Sequence, residues 1–81
     1  MNIELLWQFD GPVETQQKLF FQLDRAAAAY LRRTRQRPEV CHAHSDVAVR
    51  LGAEALGVEV VADPMVAPNA LWVGRRSAVL P

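Results

Sequence analysis

The chain has 81 residues, 51% of them hydrophobic and 22% charged, and its formal net charge is zero. Such a balance excludes a disordered polar chain, and the length excludes two independent cores, because small domains bury only about 60 to 65% of the surface exposed by their unfolded chains. Neutrality also counts against a dedicated nucleic-acid binder, whose domain pI usually exceeds about 9.

Other broad features narrow the class further. A single cysteine, Cys41, cannot close an internal disulfide. The start, Met1-Asn2-Ile3-Glu4, lacks the basic segment and apolar core of an export signal, and no apolar run approaches the ~18 to 20 residues of a membrane span. The expectation is a cytoplasmic protein with no membrane contact. Its apolar fraction, with two tryptophans and three phenylalanines, is high for so small a monomer, which points to self-association.

In chain order, Ile3, Leu5, Trp7 and Phe9 alternate with Asn2, Glu4, Leu6 and Gln8, a period of two that predicts a strand, with a short helix as the alternative. Asp10-Gly11-Pro12 breaks it. From Val13 to about Gln36, Leu19/Phe20, Leu23, Ala26/Ala27 and Tyr30/Leu31 recur at helical spacing, supported by the Glu14 and Lys18 pair and ended by Pro38. Residues 39–44 predict a second strand. Ser45 is placed to cap a second helix carrying Val47, Ala48, Leu51 and Ala55 on its inner face, with Gly57 as its stop. Residues 58–62, rich in β-branched side chains, and 70–73 predict two more strands joined through the proline-bearing loop 63–69. The resulting fold class is α/β: a small single-layer mixed sheet of three to four strands in the order β-α-β-α-β-β, with a C-terminal antiparallel hairpin and two packing helices, forming one domain over 1–81.

Three sets of residues could carry function. On a strand, His42 and His44 share a face, so both imidazoles could approach one Zn or other divalent ion, with Asp46 adding an oxygen. This His-x-His-Ser run resembles the metal-binding His-x-His of amidohydrolase and related phosphoesterase barrels over five residues. Such barrels need more than ~200 residues and further ligands, whereas this chain has two histidines. The plain alternative is a pair of hydrogen-bonded rings at a strand end. If the first three strands are parallel, Asp10, Ser45 and Asp63 fall with His44 on the rim where open α/β sheets bind ligands. No complete catalytic set can be assembled, so no catalytic residue and no cofactor are assigned and the balance is against an enzyme.

The second set is Arg32, Arg33, Arg35 and Arg37, with Arg75 and Arg76 able to join if the last strand runs alongside; together they could meet phosphates. The same cations also complement the macrodipole of a helix C-terminus. The third set is an interface formed by Trp7, Phe21 and Trp72, with Leu6 opposite the Leu5 face of its strand. Against it stands a two-sided core in which helices cover both sheet faces. The reading that follows is a non-enzymatic protein-interaction or accessory protein that forms homodimers or meets a protein partner. The alternatives are a nucleic-acid binder using the arginines and a metal-dependent or small-ligand enzyme centred on His-x-His.

Overall fold

The alternation after Ile3 does produce a strand: in the computed structural model of the chain, which describes residues 4–11 and 15–76, β1 spans Glu4–Gln8. The expectations placed on Ile3, on Pro12 to Glu14 and on Ala78-Val79-Leu80 lie outside the described residues. α1 spans Gln16–Thr34, capped by Thr15, whose hydroxyl oxygen accepts from the Lys18 amide at 3.2 Å. Its stripe is the one the spacing predicts, with Leu19, Leu23, Ala26 and Tyr30 buried. At its other end Arg35 turns into the left-handed region (φ 63°) and donates its amide to the Leu31 carbonyl at 2.7 Å.

β2 is Val40–Ala43, and α2 is Ser45–Leu51. Two expectations fail around α2. Its cap is His44 rather than Ser45, the ring Nδ1 accepting from the Asp46 amide at 3.2 Å. The helix also stops at Gly52 (φ 88°), not Gly57. Ala55 then leaves the helix to form β3, Glu54–Ala55, which pairs antiparallel with β4, Val58–Ala62. Gly57 serves the tight turn between them, where Leu56 and Gly57 both have positive φ, 54° and 78°, as a type I′ hairpin turn requires.

β5 is Ala70–Gly74, and the sheet has five strands in the order β1-β5-β2-β4-β3. The mixed sheet is as expected, but the strand number and the last hairpin are not. β5 does not pair with β4, because β2 and β3 already occupy both of β4's edges. It returns instead past β2 and inserts between β2 and β1, antiparallel to both.

This order decides where the helices go. The steps β1-α1-β2 and β2-α2-β4 both advance in the same direction across the sheet, so two right-handed crossovers lay both helices on one face. There Cys41, Ala43, Leu71 and Val73 meet the buried residues of α1 and α2, with Phe9 and Val58 at the flanks. Among the described residues the two-sided core is therefore not formed. Among the described residues, no helix is long and apolar enough to cross a membrane.

Candidate functional site: the open face of the sheet

Side chains alternate across the pleat, so the residues opposite to Leu5, Trp7, Cys41, Leu71 and Val73 look away from the helices. The ladder registers place Leu6 beside Trp72, Trp72 beside His42, and His42 beside Val61. These four residues make a row across four neighbouring strands. Leu6 is 40% exposed, Trp72 36%, and the His42 side chain 42%. Because β1, β2 and β4 point the same way, their carboxyl ends do share one rim, carrying Asp10, His44 and Asp63.

On that rim the structure joins only part of the expected set. His42 Nδ1 meets Asp63 Oδ2 at 3.2 Å, while Asp63 Oδ1 accepts from the Met65 amide at 2.9 Å and so shapes the turn at Pro64. His42, Asp63, Met65, Val66, Trp72 and Glu4 line a shallow depression of about 230 Å³. His44 does not join His42. β2 ends at Ala43, and the His44 ring accepts from the Asp46 amide at the start of α2. Ser45 and Asp46 are exposed. Asp10 lies one intervening strand away from β2, roughly 10 Å across the ladder. Among the described residues, no group of three or more His, Cys, Asp or Glu side chains is placed to hold a metal ion.

The arginines collect at the opposite rim. Arg32 and Arg33 close the last turn of α1, and Arg35 and Arg37 follow, all exposed. Arg75 does run alongside, its Nη1 donating to the Arg37 carbonyl at 2.8 Å, but its guanidinium also lies 3.6 Å from Glu39. Arg76 is paired with Glu59, which holds its guanidinium more firmly protonated than usual, and its amide donates to Glu39 at 3.0 Å. Two carboxylates thus sit inside the basic group and offset much of the positive potential that Arg75 and Arg76 would add.

The aromatic set divides. Trp7 faces the helices, its indole N–H donating to Gln22 Oε1 at 2.9 Å. Phe21 remains 56% exposed, and the Arg25 guanidinium lies over both rings, 5.9 Å from Trp7 and 5.6 Å from Phe21. Trp72 belongs to the open face. Sequence reasoning missed His42, Leu6 and Val61 as neighbours of Trp72, because the row exists only once β5 is inserted between β1 and β2. The one available signal was Leu6, an apolar residue at a polar position of the alternation. The chain matches no family model, and no significant similarity to a curated protein or a solved structure was found.

Proposed function

We propose that the protein is a non-enzymatic interaction module that self-associates through the open side of its sheet and the adjoining outer strand β1. One observation carries this reading: Leu6, Trp72, His42 and Val61 form an uninterrupted row over four strands, and among the described residues no helix lies above it. Fully burying a leucine-sized side chain is worth about 1.5–3 kcal/mol, so covering Leu6, where this row reaches the outer strand, supplies useful association energy. Phe21 adds exposed apolar area on the helix side of the same edge. The His42–Asp63 pair does not demand a reaction. Both groups are partly open to solvent, and Asp63 has a structural task in its turn.

Sedimentation velocity over a wide protein concentration range tests the proposal. The wild-type chain should pass from monomer to dimer, and Leu6→Arg, which leaves the helix-covered core untouched, should weaken association at least tenfold. A wild-type protein that stays monomeric at several hundred micromolar, or a Leu6→Arg variant that associates equally well, would refute it.

A further inference from the structure

We infer that two copies of this chain join along the outer edge of β1, antiparallel and centred on Leu6, so that their two open faces become one continuous surface. This rests on the self-association proposed above and gives it a geometry.

The hydrogen bonding of β1 fixes which groups are free for such a contact. The Phe9 amide donates to the Asn69 carbonyl at 3.0 Å, which makes this pair a bonded position of the ladder with β5. Bonded positions alternate along an antiparallel strand, so Trp7 and Leu5 share that inward set, whereas the N–H and C=O groups of Glu4, Leu6 and Gln8 point outward. Among the described residues no strand pairs with them.

The two edges of the sheet are also unequal. β3 has two residues and carries Glu54, the short and charged kind of edge that resists further pairing. β1 has five residues, with no proline, no lysine and no glycine, and its charge is confined to Glu4 at one end. Nothing in β1 blunts it.

The sequence of β1 is complementary to itself in one register. Centred on Leu6, all five residues overlap, Leu6 lies beside the partner's Leu6, and the Glu4 carboxylate lies beside the amide of the partner's Gln8, which can donate to it. Sliding the partner by two residues shortens the overlap and sets Leu6 against the partner's Glu4 or the partner's Gln8. Sliding it by four stacks Glu4 on the partner's Glu4 or Leu6 against the partner's Asp10. Only the central register joins like with like on the apolar row and avoids facing carboxylates.

The helices accept this arrangement. α1 packs over β1 and β5, so with strands about 4.8 Å apart the two α1 helices would lie roughly 10–14 Å from each other on the same side. Arg25 spans Trp7 and Phe21, which puts Phe21 on the β1 side of α1, facing that gap. The contact is isologous and closes at two copies, while the row from Val61 to Leu6 continues into its own image across the two-fold axis.

Cysteine cross-linking of the full chain reads this register directly, and buried Cys41 does not compete. Directly opposed bonded positions hold Cα atoms about 5.5 Å apart, within reach of a disulfide. Under mild oxidation Leu6→Cys should yield a covalent dimer. Glu4→Cys alone and Gln8→Cys alone should not, but an equimolar mixture of the two should. The mixture keeps Leu6 in place, so weakened association in Leu6→Cys cannot imitate a wrong register. If the wild type dimerises but Glu4→Cys cross-links alone, or the mixture does not cross-link, this geometry is overturned while self-association stands. A monomeric wild type overturns both.

Discussion

Burial on the helix-covered face pushes the Cys41 thiol up to about 12 from its ordinary 9.0. The unfolded chain therefore releases this proton first, and the stability that the neutral thiol contributes is complete below pH 9 and lost as the pH rises towards 12. In urea titrations, wild-type stability should fall more steeply than that of Cys41→Ala over that window; equal slopes would mean that the thiol is not so shielded. The inward position of Cys41 was legible from strand alternation alone. The partnership of His42 and His44 was not, because alternation holds only while a strand continues, and β2 stops at Ala43. Beyond it, His44 can satisfy a helix N–H, which a seven-residue helix needs more than the strand needs another residue.

Among the elements, those announced by long periodic patterns formed where the spacing put them: α1, β1, β4 and β5 each match to within a few residues. β3 escaped notice because two residues carry no period, and its turn uses Leu56 where Asn would be the usual signal. A leucine held at φ 54° is strained, and at 53% exposure it gains little from burial in return. Leu56→Asn should accordingly stabilise the protein by about 1 kcal/mol, raising its melting temperature by roughly 4–8 °C in a calorimetric scan. An unchanged or lowered midpoint would show that the Leu56 side chain is held by contacts worth more than the strain. β5 was recognisable as a strand but not as a neighbour of β1 and β2. Its position follows from which edges are vacant, and no local pattern records that.

For the molecule as a whole, one topological fact governs the rest: two crossovers of the same hand and direction put both helices on one side, and among the described residues nothing covers the other side of the sheet. Trp7, Phe21 and Trp72 stand out in the composition, but which of them face solvent depended on that topology. The same order separates the His42–Asp63 rim from the arginine rim, so the two cannot act as one site.

An amide NMR dilution series on isotope-labelled wild-type protein bears most directly on the association surface. Resonances of residues 4–8 and of Phe21 and Arg25 on α1 should shift or broaden together as concentration rises, with smaller changes at Trp72 beside Leu6, while those of α2 and of the β3 and β4 turn stay fixed. Spectra that do not change with concentration, or changes centred on α2 and β3, would contradict the account.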